Sequence, residues 1–272
     1  MKYNGKYSIK KRLHEKQKKG ASVANTAGIQ YEIDTTANLN QIFATIPKFS
    51  GSFASNQGTK GADVEIKLFV AGTTSQSKIV PIECKTSLSA KFGNASISYT
   101  KGGVDGDGNT VLGFYGWGPR TMSKMQIAIK AEIQLAMDNA NKNQKALAIC
   151  DKISFGPLSL SSAGCGVKTQ APSGTINKWY GAKSTQGADY IQIKGHGLYL
   201  MPGSKDSLGL DSKLKAAGVK IGLPVFRPKK EHITVRHKQN TIWKPIAELA
   251  CSGLVRSPIS LDDVSAMIKL LK

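Results

Sequence analysis

Gly61-Ala62-Asp63-Val64-Glu65-Ile66, followed by Pro81-Ile82-Glu83-Cys84-Lys85-Thr86, decides how this chain folds. Asp63 ends a turn and opens an alternating apolar run, Val64, Ile66, Leu68 and Val70. Residues two apart in a strand face the same side. Glu83 and Lys85 therefore point together, and Cys84 turns the other way, into the core. Twenty positions separate Asp63 from Glu83. That is room for one strand, the polar turn from Gly72 to Lys78, and a return strand. The two strands bring Asp63, Glu83 and Lys85 to one place.

Two carboxylates and a lysine on an apolar sheet are costly unless they are paired or bind a metal. Hard cations such as Mg²⁺ take oxygen ligands, often one or two carboxylates with water and substrate phosphate. A metal so held stabilises charge on a phosphorus under attack and activates a water. Here the chain resembles the PD-(D/E)xK nuclease superfamily, with its restriction-endonuclease-like fold. The signature reads Asp63, a gap, then Glu83-Cys84-Lys85. Ala62 stands where the family usually has proline.

The resemblance implies an α/β (α+β) protein with an αβββαβ core, a central mixed sheet flanked by helices. It implies that Asp63, Glu83 and the Cys84 carbonyl hold Mg²⁺, with Mn²⁺ as its substitute, and that Lys85 positions the attacking water. A helix ahead of the first core strand often carries a further glutamate in this family; Glu32 is the candidate.

The order of elements fits. Residues 22–46 carry an apolar stripe (Ile29, Ile33, Leu39, Ile42, Phe43) at helical spacing. Residues 47–60 hold a first strand, and 61–71 and 78–87 the two already described. Residues 121–143 read as one helix capped by Thr121 or Ser123, and Lys145–Ile153 as a buried strand. The expected organisation is a basic tail over 1–20, a nuclease core over 21–155, and a β-rich DNA-binding elaboration with a terminal helix over 156–272. In that last part 154–185 reads as irregular, and Tyr190–Lys194 and Gly197–Met201 as strands. Pro224–Phe226 and His232–Arg236 read as a hairpin, and Leu261–Leu271 as a helix capped by Ser260.

Lys and Arg number 38 against 18 Asp and Glu, a net charge of +20. So basic a chain seeks a polyanion, and nucleic acid is the expected partner. Residues 1–20 carry eight basic side chains against Glu15 alone. A second cluster, Arg227, Lys229, Lys230, Arg236 and Lys238, falls on the expected hairpin. Lys91 and Arg120 complete the candidate DNA contacts. No apolar run reaches membrane-span length, and no secretory leader is expected. The four cysteines (Cys84, Cys150, Cys165, Cys251) show no Cys-x-x-Cys, so zinc and a disulfide framework are not expected and a cytoplasmic protein is.

Other chemistries lack their residues. There is no Gly-x-Ser-x-Gly, Walker loop or dinucleotide fingerprint. Asp105-Gly106-Asp107-Gly108-Asn109 has no glutamate at the twelfth loop position, which is Gly116, so it reads as a turn rather than a calcium loop. His232 and His237 are five apart, wrong for one strand face. The expectation is a Mg²⁺-dependent DNA endonuclease of restriction or phage type, as a homodimer if it cuts both strands. The rivals are an exonuclease or junction resolvase of the same superfamily, and a non-catalytic nucleic-acid-binding protein.

Overall fold

The alternation Val64, Ile66, Leu68 on one strand and Val80, Ile82, Cys84 on the next is the start of the fold: all six side chains are buried in one apolar cluster. A computed structural model describes residues 23–56, 62–69, 77–155, 166–181, 187–238 and 244–272. The basic segment 1–20 lies outside them.

In chain order the first stretch forms α1 (Val23–Thr45), β1 (Phe53–Asn56), β2 (Val64–Phe69) and β3 (Ser77–Lys85). Next come β4 (Gly93–Ser96), β5 (Ser98–Thr100), β6 (Gly103–Val104), β7 (Thr110–Val111) and β8 (Phe114–Gly116). Three helices follow, α2 (Lys124–Ala128), α3 (Lys130–Lys142) and α4 (Gln144–Phe155), then β9 (Gly166–Ala171) and α5 (Thr175–Tyr180). The last part holds β10 (Tyr190–Ile193), β11 (Gly197–Leu200), α6 (Leu210–Ala216), β12 (Lys230–Lys238), β13 (Lys244–Ser252) and α7 (Val264–Leu271).

These elements make a mixed α/β protein that divides into two units. Unit 1 takes Met1–Leu88, Gly181–Phe226 and Leu254–Lys272; unit 2 takes Ser89–Tyr180 and Arg227–Gly253. No helix of the described residues is long and apolar enough to cross a membrane.

Unit 1 is built on a five-stranded sheet in the order β1-β2-β3-β10-β11. β1, β2 and β3 form an antiparallel meander, and β10 lies parallel to β3. A parallel neighbour cannot be reached by a tight turn and needs a long crossover; here the first segment of unit 2 lies within that connection. α1 packs on β1 and β3 and also meets α7. Asn40 pins α1 to β1 with two bonds: its Oδ1 accepts from Ala54 N at 2.8 Å and its Nδ2 donates to Ala54 O at 3.0 Å.

Unit 2 is a four-stranded antiparallel sheet, β4-β13-β12-β9, covered by α3. Along β12 the odd positions Glu231, Ile233, Val235 and His237 are buried, while His232, Thr234 and Arg236 are half-buried on the other face. Residues 98–116 form a ribbon from the paired ladders β5–β8 and β6–β7.

The structure corrects several expectations. Lys145–Ile153 is part of helix α4, not a strand. Ala146, Leu147 and Cys150 are its buried side chains, at helical rather than alternate spacing, and Asn143 Oδ1 accepts from Ala146 N at 3.0 Å to start it. The strand that follows β3 in the sheet is instead β10, a hundred residues further on. The compact units therefore do not follow the contiguous segments 21–155 and 156–272: both are discontinuous. Residues 121–143 form two helices broken at Ile129 (φ −123°, ψ 29°), the first closed by a Ser123–Gln126 capping box. β9 and α5 fall in the stretch read as irregular. Pro224–Phe226 makes no hairpin with β12, whose partners are β13 and β9. Asp263, not Ser260, caps α7 through Ala266 N at 2.9 Å. Cys150 is disulfide-bonded, where no disulfide framework was expected, whereas Cys84 and Cys251 are free.

Candidate functional site

β2 and β3 pair from Phe69↔Ser77 up to Val64↔Ile82 and no further. β3 runs on through Glu83, Cys84 and Lys85, which pair only with Ile191, Gln192 and Ile193 of β10. The fork between β2 and β3 is where the site forms. Asp63 stands at the tip of β2, and its Oδ2 accepts from Cys84 N at 2.8 Å, taking the hydrogen bond a β2 carbonyl would otherwise take. In a strand the N–H and C=O of one residue point to the same edge. The Cys84 carbonyl thus opens toward Asp63.

Glu83 and Lys85 share the opposite face from Cys84, as their spacing requires. Lys85 Nζ donates to Glu83 Oε1 at 2.6 Å, with both side chains largely withdrawn from solvent. Cys84 is packed among Val64, Ile66, Val80 and Ile82. Burial, with Asp63 and Glu83 close by, drives its thiol well above the ordinary range.

Glu32 comes from the third turn of α1. Asn56 at the end of β1 donates to its Oε2 at 3.1 Å, and Thr36 bonds back to its carbonyl at 2.8 Å. Its charge is felt at both Asp63 and Cys84. All four sequence candidates, Glu32, Asp63, Glu83 and Lys85, are thereby brought together in unit 1.

The electrostatics of the cluster are those of carboxylates crowded in a poorly solvated place. The Asp63 carboxyl is pushed up to about 7, first by burial and then by Glu83 and Glu32; Lys85 and the Cys84 N–H oppose the rise. A cation beside Asp63 would relieve that cost. Among the described residues no three His, Cys, Asp or Glu side chains converge as a ready-made cage. Mg²⁺ does not require one, because it commonly keeps several waters and takes one or two carboxylates. Asp63, Glu83 and the Cys84 carbonyl are a donor set of the hard, oxygen type that it prefers.

One residue was missed in the sequence. Gln192 of β10 sits beside Cys84 and is fully buried. Its Nε2 donates to Tyr31 Oη at 3.0 Å and to Ser260 Oγ at 2.8 Å, and its Oε1 accepts from Leu261 N at 3.1 Å. It ties α1, one residue from Glu32, to the sheet. The signal was present: a lone amide in the apolar run Tyr190-Ile191-Gln192-Ile193.

The seven candidate DNA contacts all fall in unit 2. Arg120, Arg227, Lys229 and Lys230 are exposed. Arg236 is not a free surface cation: its guanidinium pairs with Glu248, which is 1% exposed. Lys91 reaches the same carboxylate at 3.5 Å. Lys238 ends β12. Unit 2 carries 16 Lys and Arg against 7 Asp and Glu, and unit 1 carries 22 against 11, so both units are basic; the candidate contacts lie in unit 2 and the carboxylate cluster in unit 1.

The remaining motifs are structural. Asp105 Oδ1 accepts from Asp107 N at 3.0 Å and Asn109 N at 2.8 Å, which makes a closed turn. His237 is buried against Tyr115 Oη at 3.2 Å and is pushed down to about 4 by that burial. His196 occupies the turn between β10 and β11. No protein-family model, no curated protein and no solved structure matches this chain.

Proposed function

We propose that this chain is a Mg²⁺-dependent DNA endonuclease with a restriction-endonuclease-like core in unit 1. The observation that carries the reading is the fork: Asp63 bonded to the Cys84 backbone, with Glu83 and Lys85 on the continuing strand and Glu32 within electrostatic reach. A helix, an antiparallel three-strand meander and a parallel fourth strand in unit 1 support the resembled αβββαβ core; the described helices between β3 and β10 lie in unit 2. Mg²⁺ held by Asp63, Glu83 and the Cys84 carbonyl would supply positive charge to the scissile phosphate and a more acidic water.

The protein's own residues do the rest. Lys85, fixed by Glu83, holds a donor where an attacking water must be oriented. Glu32, held by Asn56, adds a third carboxylate that keeps the site attractive to a cation. The water oxygen bonds to phosphorus as the ester P–O bond breaks, and the water's proton ends on the released alkoxide. Cutting both strands calls for two copies of the site, and hence a symmetric dimer.

The test is supercoiled plasmid incubated with the purified protein in Mg²⁺, Mn²⁺ or EDTA. Nicked and linear products in either metal and none in EDTA support the reading. Intact plasmid in all three, from protein that binds DNA, overturns it.

A further inference from the structure

We infer that unit 2 contains a pocket for a single unstacked nucleobase, built around Trp117. The proposal rests on nucleic acid being the partner but not on the chemistry at Asp63. A cavity of about 230 Å³ lies where β4 and β5 meet the segment 117–122 and the start of β13. Drug-sized ligands fill pockets of roughly 300–1,000 Å³, so this one suits one ring system rather than a whole cofactor.

Its lining has the three parts that a nucleotide demands. The apolar part is Trp117 with Pro119, Met122 and Pro245. The polar part is hydroxyls and an amide, from Ser96, Ser98 and Gln126. Arg120 and Lys244, both exposed, stand at the cavity as cations. A flat π face, hydrogen-bonding groups for a base edge and two charges for flanking phosphates together match a nucleotide. A hydrophobic peptide would leave the cations unused, and a free anion would leave the indole unused.

The indole is also preset. Trp117 Nε1 donates to Gln134 Oε1 at 2.7 Å, and Gln134 Nε2 donates to Asp138 Oδ1 at 2.8 Å. Ser98 Oγ donates to the Trp117 carbonyl at 3.0 Å. The ring therefore needs no ordering on binding, and its only polar atom is already satisfied. Its remaining capacity is stacking. A pocket of this kind takes a base from single-stranded DNA or an extrahelical base, not one inside a duplex.

The experiment is fluorescence anisotropy in EDTA, with labelled single-stranded DNA and a blunt duplex of the same sequence. Trp117→Ala should weaken single-strand binding about tenfold, the scale of one base stacked on an aromatic ring, and change duplex binding less than twofold. Trp117→Phe, which keeps a stacking face and loses the Gln134 bond, should recover most of it. Arg120→Ala with Lys244→Ala should weaken both substrates and lower the salt slope by about two. Because Trp117→Ala also frees Gln134, the wild-type protein is tested with an all-abasic strand of equal length, which should bind about tenfold worse than the normal strand. Equal affinity for normal and abasic strands overturns the pocket, as does competition by polyglutamate as strong as by DNA. Intact plasmid from wild-type protein that still binds the single strand would sink the nuclease reading and leave the pocket standing.

Discussion

The backbone N–H of Cys84 donates to Asp63 Oδ2 at 2.8 Å at the point where β2 has parted from β3. One bond does two things. It satisfies a strand N–H that has lost its neighbour, which is costly to leave unpaired when buried. It also fixes a carboxylate beside the Cys84 carbonyl, so a side-chain and a backbone oxygen face one place.

Asp63→Ala or Glu83→Ala should abolish plasmid cleavage and leave DNA binding intact or tighter. Each removes a proposed oxygen ligand and a charge that repels phosphate. Cleavage near the wild-type rate in both variants would remove the fork from the chemistry.

Lys85→Ala should lower the cleavage rate by about 10² or more, the scale of a positioned proton-transfer group. Calorimetric Mg²⁺ affinity should hold, because an ammonium is not a ligand. A folded variant that no longer binds Mg²⁺ would contradict the role.

Glu32→Gln should weaken Mg²⁺ affinity and cleavage together. The amide keeps the shape and can still meet Asn56, but removes the charge felt at Asp63. Titration of cleavage against Mg²⁺ should show a raised half-saturation. An unchanged curve would return Glu32 to a helix-face role.

The Asp63 carboxyl sets a pH dependence. Its folded value, pushed up to about 7, lies above the unfolded value near 3.9, so the folded state holds the proton more tightly. This group's contribution to stability is full below pH ~4 and is lost as pH rises through about 7, by at most ~4 kcal/mol. In EDTA the melting temperature should fall between pH 5 and pH 8, and Asp63→Asn should flatten that fall. Mg²⁺ should restore stability above pH 7, where the carboxylate is charged. An identical pH profile for wild type and Asp63→Asn would show that Asp63 does not titrate in this window.

Two kinds of basic residue should separate cleanly. Lys229→Ala with Lys230→Ala should weaken DNA binding at all sequences, with a salt slope reduced by about one per lost phosphate contact. Arg236→Ala should instead cost stability, on the order of 2–3 kcal/mol, because it leaves the buried Glu248 with Lys91 as its remaining cation. Denaturant melts and anisotropy titrations on the same samples distinguish them. A fully stable Arg236→Ala with weakened DNA binding would make it a phosphate contact after all.

The site was legible because it is local. Period-2 alternation puts Glu83 with Lys85 and Cys84 opposite, and a short return strand carries Asp63 to them. Glu32 was reached only by analogy with a family. What holds it in place is Asn56 and, one residue away, the Tyr31–Gln192 bond, a contact across 161 positions of the chain. Nothing in the spacing of Gln192 names those partners. Lys145–Ile153 misled because a short apolar run fits a buried strand and a helix equally well. Gln144, Lys145, Ala146 and Leu147 are strong helix formers, and the Asn143 cap settled the matter.

By itself the sequence determined the strands β2 and β3, the burial of alternate residues along them, the helix α1 and the basic character of the chain. Each rests on a period or a composition that acts over a few residues. Only the tertiary structure decided that β10 lies beside β3 and that all seven DNA-contact candidates fall in one unit. It also decided that Arg236 spends its charge on Glu248. Parallel pairing and buried ion pairs join residues far apart in the chain, and their partners are chosen by which surfaces pack, not by any spacing in the sequence.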